Sequence, residues 1–164
     1  MEVFRSRRLS VEEKQVSLPD GRVRDYVVVH PGPAVAMLPV IGEDCLLIRQ
    51  YRYAIDQYLY EVPAGTMEPG ETPVETAHRE MIEETGFAAG RLAAMGTILT
   101  TPGFSDEQIH LFLATDLVPS SLYQQDEDEV IEVERLSLIR AWAMVMDGTI
   151  TDAKTICLLA QCRG

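Results

Sequence analysis

Residues 65–87 read GTMEPGETPVETAHREMIEETGF, and this stretch decides how the chain is read. Thr72 can cap the first turn of a helix, Pro73 suits the first helical position, and Glu75 lies three residues beyond the cap. Gly86 suits the left-handed position after a last turn. The spacing predicts a helix from Pro73 to Glu84 or Thr85. With about 3.6 residues per turn, Val74, Ala77 and Met81 share one face with Thr85 near its end, and should pack on a sheet. Glu80 and Glu84 stack four apart beside that face, and Glu83 stands about a quarter turn further round. Arg79 and Glu83, also four apart, are expected to form a supporting pair.

Two like charges at this spacing cost roughly 0.2–0.5 kcal/mol on an exposed helix. Beside a buried face they cost more unless something positive lies between them. Magnesium takes such hard oxygen ligands and keeps several waters; a solvated acidic helix is the other reading of the helix alone. The preceding loop favours the metal. Ala64–Gly65 follows the strand-like YLYEVP, where Gly65 can bring a backbone carbonyl close to the helix, and Glu71 can tie the loop to the cap.

Outward from this segment, the chain has 164 residues and is 46% hydrophobic, enough for one core with a small appendage. VSLPDGRVRDYVVV reads as a hairpin around Pro-Asp-Gly, and Pro31, Gly32 and Pro33 break the chain after it. We place a boundary there: residues 1–33 as an N-terminal antiparallel sheet, residues 34–164 as the main domain. AVAMLPVI, CLLIRQYRYA and YLYEV follow as strands, and LAAMGTILT, QIHLFLATDL and VIEVERL come after the helix. The first of these runs are too continuously apolar for a one-sided sheet, so helices should cover both faces. LIRAWAMVMDG and DAKTICLLAQ read as closing helices, the second capped by Asp152. Trp142, Met144 and Met146 are expected as helix packing.

Fourteen basic against 26 acidic side chains give a net charge of -12, which argues against gripping long nucleic acid. A small phosphorylated substrate remains compatible, because a bound divalent cation reverses the local field. No run approaches a membrane span, and the first ten residues lack the apolar run of a secretion signal. Cys45, Cys157 and Cys162 are read as thiols of a reducing cytoplasm. His30, His78 and His110 are read as structural, and Ser105 has no His-base pattern to make it a nucleophile.

The 65–87 stretch resembles the Nudix hydrolase signature, which Gly65, Glu71, Arg79, Glu80, Met81, Glu83, Glu84, Gly86 and Phe87 fill at nine positions over 23 residues. The resemblance implies an α/β/α sandwich with a mixed sheet. It also implies divalent metal on Glu80, Glu83, Glu84 and the Ala64 carbonyl, with Gly65, Glu71 and Arg79 in support. Pro102, in TPG 16 residues after Gly86, resembles the hallmark of the ADP-ribose pyrophosphatase branch, as do HPG, RQYRYA, YEVPAG and DEDEVIEV.

That branch implies cleavage of ADP-ribose to AMP and ribose 5-phosphate, with two or three Mg²⁺ per site and Mn²⁺ as the alternative metal. The counterpart of Arg52 touches phosphate, that of Glu61 helps hold the nucleotide end, and Gly103 belongs to the Pro102 turn. Arg49 and Arg52, scarce cations beside an acidic site, suit a diphosphate. A carboxylate on the 126–129 loop should act as general base, Glu129 before Glu127, with Glu107 as runner-up and Glu83 assisting. The branch also implies a homodimer with exchanged N-terminal strands, where Phe4 or Tyr26 stacks on adenine. Alternatives are a pyrophosphatase for another sugar nucleotide or a dinucleotide, such as GDP-mannose or NADH, and a noncatalytic nucleotide-sensing module.

Overall fold

The computed structural model describes residues 1–123 and 130–163. Three strands, β1 (Glu2–Arg5), β2 (Ser10–Ser17) and β3 (Val23–His30), form a separate antiparallel sheet in sequential order. The Pro-Asp-Gly turn closes the β2–β3 hairpin, where the Leu18 amide donates to the Arg22 carbonyl at 2.7 Å.

After the break at Pro31–Pro33 come β4 (Ala34–Ile41), β5 (Asp44–Arg52), β6 (Gln57–Glu61), β7 (Ala64–Thr66), α1 (Pro73–Thr85), β8 (Phe87–Leu99), β9 (Gln108–Pro119), β10 (Ile131–Ser137), α2 (Leu138–Met146) and α3 (Ala153–Gln161). The larger sheet runs β10-β5-β4-β9-β8, with β6 on β5 and β7 on β4. β4 and β9 pair in parallel and the other neighbours are antiparallel, so the sheet is mixed.

Strand periodicity explains the layers. On β4, Ala36 and Leu38 face a core that includes Ala141 and Met144 of α2 and Leu158 and Leu159 of α3. Val35 and Met37, alternating with them, face Ala77 and Met81 of α1 together with Phe112. Helices therefore cover both faces, and the continuous apolar run of β4 is the consequence.

Two helical expectations change. Val74 shares the azimuth of Ala77 and Met81 but stands in the first turn and is exposed, so the packed stripe begins one turn later. Met144 is buried as expected, whereas Met146 lies at the end of α2 and is exposed. Cys45 is buried in the core, which pushes its thiol up to about 11. Among the described residues, no helix is long and apolar enough to cross a membrane.

Candidate active site

The acidic helix is fixed at both ends. Thr72 accepts from the Glu75 amide at 3.3 Å, and the Glu75 carboxylate accepts from the Thr72 amide at 2.8 Å, completing a capping box. Gly86 takes the left-handed conformation with φ 73°, and its amide closes the last turn onto the Ile82 carbonyl.

Arg79 organises the carboxylates. It donates to Glu71 at 2.9 and 3.0 Å, to Glu80 at 2.7 Å and to Glu83 at 2.9 Å. Glu71 also accepts from the Glu68 amide and the Thr76 hydroxyl, so it ties the loop to the helix start. The hydrogen bond from Arg79 is the chief reason the Glu71 carboxyl is lowered to about 2. Hydrogen bonds to Glu71, with the charges around it, push Arg79 further up.

Glu84 is buried and accepts from the Ala64 amide at 2.7 Å, which locks the β7 loop onto the helix. Next to it, the backbone of Gly65 passes so close to Glu80 that an added Cβ would overlap the carboxyl group. What glycine gives here is the close approach to Glu80 rather than a special backbone conformation. Among the described residues no three His, Cys, Asp or Glu side chains already converge on one point as a metal cluster. Arg79 accounts for two of the candidates, because it draws Glu80 and Glu83 to itself. The donor set nevertheless fits a hard divalent cation: the carboxylates of Glu80, Glu83 and Glu84 stand on one helix, with the β7 backbone at Gly65 against Glu80.

A cleft of about 480 Å³ opens beside this loop. Arg52, Glu61, Ala64, Gly65, Glu107 and Lys154 are among the residues that line it. Arg52 grips Glu61 through two hydrogen bonds, both 2.6 Å, and Lys154 bonds the same carboxylate. Burial by itself would raise the Glu61 carboxyl, but hydrogen bonds from Arg52 and the charge of Lys154 outweigh it and hold it low. The pairing with Glu61 raises Arg52, with smaller contributions from Glu84 and Asp152. Glu107 accepts from the Thr100 hydroxyl.

Not every expected residue meets in the cleft. Arg49 pairs with Glu132 at 3.2 Å and lies over the Tyr58 ring, away from Arg52. Gly103, beside Pro102, accepts from the Tyr26 hydroxyl, which joins the N-terminal sheet to the 101–104 turn. Phe4 is exposed on β1. Glu127 and Glu129 lie outside the described residues. His30 bonds Asp106 at 2.6 Å, and His110 meets the Thr97 hydroxyl at 3.1 Å. Lys154 escaped the sequence reading; it is the one charged residue of α3, and nothing local ties it to Glu61.

The NUDIX domain model matches residues 30–159. The chain belongs to the Nudix family. Over 157 residues it is 38% identical to an ADP-ribose pyrophosphatase of Bacillus subtilis, covering 94% of this chain and 84% of that protein. A methanol dehydrogenase activator of Bacillus methanolicus is 35% identical over 158 residues, covering 94% of this chain and 85% of that one. Among solved structures, an ADP compounds hydrolase superposes with a TM-score of 0.88 at 29% identity, covering 99% of this chain and 89% of the other. The fold as a whole thus has a counterpart in a known hydrolase.

Proposed function

We propose that this Nudix chain hydrolyses the pyrophosphate of ADP-ribose, releasing AMP and ribose 5-phosphate. One observation carries the reading. The cleft that holds Arg52 and Glu61 is also lined by Ala64 and Gly65, the two residues fitted against Glu84 and Glu80. A cation suited to phosphate therefore lines the same cleft as the β7 backbone against which the helix carboxylates pack. The Bacillus subtilis relative supports ADP-ribose as the substrate.

Glu80, Glu83, Glu84 and the Ala64 carbonyl would hold two or three Mg²⁺, or Mn²⁺, which when bound supply charge neutralisation and a more acidic water. Arg52 orients the diphosphate, and Glu61 fixes Arg52 while facing the nucleotide end. Arg79 and Glu71 keep the helix carboxylates in place. Glu129 is the proposed base, with Glu127 and Glu107 as alternatives.

The working unit is a cytoplasmic homodimer with exchanged N-terminal strands. Residues 1–33 carry six basic and five acidic side chains, against eight and 21 in the remainder. That contrast suits packing of the N-terminal sheet on a second copy. Exposed Val3, Phe4, Val23, Tyr26 and Val27 give it apolar surface to bury, and Phe4 or Tyr26 would stack on adenine.

The test is product release from ADP-ribose with and without Mg²⁺, beside GDP-mannose and NADH. Metal-dependent AMP and ribose 5-phosphate with ADP-ribose leading is the expected result. A lead by GDP-mannose or NADH would retain the metal helix and discard the substrate.

A further inference from the structure

The N-terminus of α3 reaches across the fold to the strand that precedes the glutamate site. Asp152 caps α3 by accepting from the Thr155 amide at 3.0 Å. The Thr155 hydroxyl donates to Asp152 at 2.6 Å and accepts from the Val62 amide at 2.8 Å. Lys154, between them, bonds both Glu61 and Asp152, the latter at 2.9 Å. It is 9% exposed and Glu61 is 1% exposed, so neither charge is screened as a surface charge would be.

The charges decide what this arrangement offers a ligand. Arg52 spends its Nε and Nη2 groups on Glu61, which leaves Nη1 as the donor that Glu61 does not engage. An Arg–Glu pair alone is neutral, and the buried carboxylate offsets part of the attraction between the guanidinium and a diphosphate. Lys154 supplies the second cation that offsets Glu61. Its own ammonium is committed to two carboxylates, so it acts through Glu61 rather than on the ligand.

We propose that Lys154 is a positioning residue for diphosphate binding: it balances Glu61 so that the charge and free edge of Arg52 serve the substrate. Asp152 draws on the same ammonium and works against this effect. The proposal rests on the pyrophosphatase reading, and its test separates the two.

The test uses the full-length chain, with KM and kcat for ADP-ribose, calorimetric binding of methylenediphosphonate in Mg²⁺, and the melting temperature of each variant. Lys154→Met should raise KM and weaken methylenediphosphonate by roughly tenfold or more, because one partner of a buried charge pair is lost. Its kcat should change much less, and Lys154→Arg should recover most of the affinity. Asp152→Asn keeps an equally good helix cap but removes the competing charge, so it should bind methylenediphosphonate more tightly than wild type.

Opposite shifts from two neighbours on one helix end are not what a mere brace between α3 and β6 would give. Such a brace would lower the melting temperature in both variants and leave KM alone. That pattern overturns the proposal, as would wild-type methylenediphosphonate affinity in Lys154→Met. Should Lys154→Met fail to fold, Asp152→Asn decides by itself, and unchanged or weaker binding there refutes the idea. If the wild type binds methylenediphosphonate with these shifts yet leaves ADP-ribose intact, the substrate assignment fails while Lys154 keeps its role.

Discussion

Gly65 lies against the carboxyl group of Glu80 so closely that a single added methyl group would occupy the same space. The obstructed atoms are the far end of a flexible side chain, so the fold can absorb the methyl by turning Glu80 aside. Gly65→Ala should therefore keep its melting temperature within a few degrees while needing about tenfold more Mg²⁺ for half-maximal activity, as expected when the shell that orients a ligand is disturbed. A Mg²⁺ titration of activity beside a thermal melt checks this. An unchanged Mg²⁺ requirement would remove Glu80 from the metal set.

Arg79 is the cation that Glu71, Glu80 and Glu83 share, and its side chain is only 15% exposed. Arg79→Ala leaves three carboxylates facing one another, which should cost about 2–3 kcal/mol. For a chain of this size that is a melting temperature lower by roughly 5–10 °C. Added Mg²⁺ should return part of the loss, since a cation can replace the guanidinium between Glu80 and Glu83. Melts with EDTA and with Mg²⁺ make the comparison. Equal losses in both would mean that these carboxylates do not take metal together.

The helix was legible because its signals are local. Thr72, Pro73, Glu75 and Gly86 lie within one turn of the ends they define, and the glutamate spacing needs only the helical period. Setting Arg49 and Arg52 together at the diphosphate overlooks the strand period: three apart on β5, they point to opposite faces, and the structure finds Arg49 on Glu132 and Arg52 on Glu61. β7 gave no such signal, since Ala64, Gly65 and Thr66 become a strand only by pairing with Ala34–Ala36 of β4. Lys154 was out of reach for the same reason, because its partner Glu61 is 93 residues away in sequence. Val74 shows the reverse limit: period gives a side chain's direction, and the extent of the surface beneath it decides burial.

Glu84 accepts from the Ala64 amide and is also the proposed metal ligand. Glutamine can still accept that hydrogen bond through its carbonyl but offers a far weaker site to a divalent cation. Glu84→Gln should thus fold normally and lose at least about 100-fold in turnover. Near-wild-type activity at saturating Mg²⁺ would sink the assignment of α1 as the metal helix.

The proposed base is separable from the proposed metal ligands by what each substitution spares. Glu129→Gln should retain Mg²⁺ affinity and stability while kcat falls by roughly 100-fold. Glu127→Gln and Glu107→Gln should fall less. If Glu107→Gln alone shows the large loss in kcat, the proton acceptor is the cleft carboxylate beside Thr100 and the 126–129 assignment fails.

Glu71 makes the brace around Arg79 visible in the pH dependence of stability. Its carboxyl is lowered from the ordinary 4.5 to about 2 in the folded chain, first because Arg79 hydrogen-bonds it. A lowered acid binds its proton more readily in the unfolded chain, so it contributes stability above the unfolded value. That contribution is whole at pH 7, declines as pH falls below about 4.5, and is gone near the folded value of about 2. Arg79 stays protonated throughout, so the change belongs to the carboxylate. Glu71→Gln lacks the titrating group and should melt below wild type at pH 7, with the gap closing steadily through this acid window. Chemical unfolding of both chains at matched ionic strength from pH 7 to 2 measures it. A gap that stays constant would show that Glu71 holds the loop through packing rather than through its charge on Arg79.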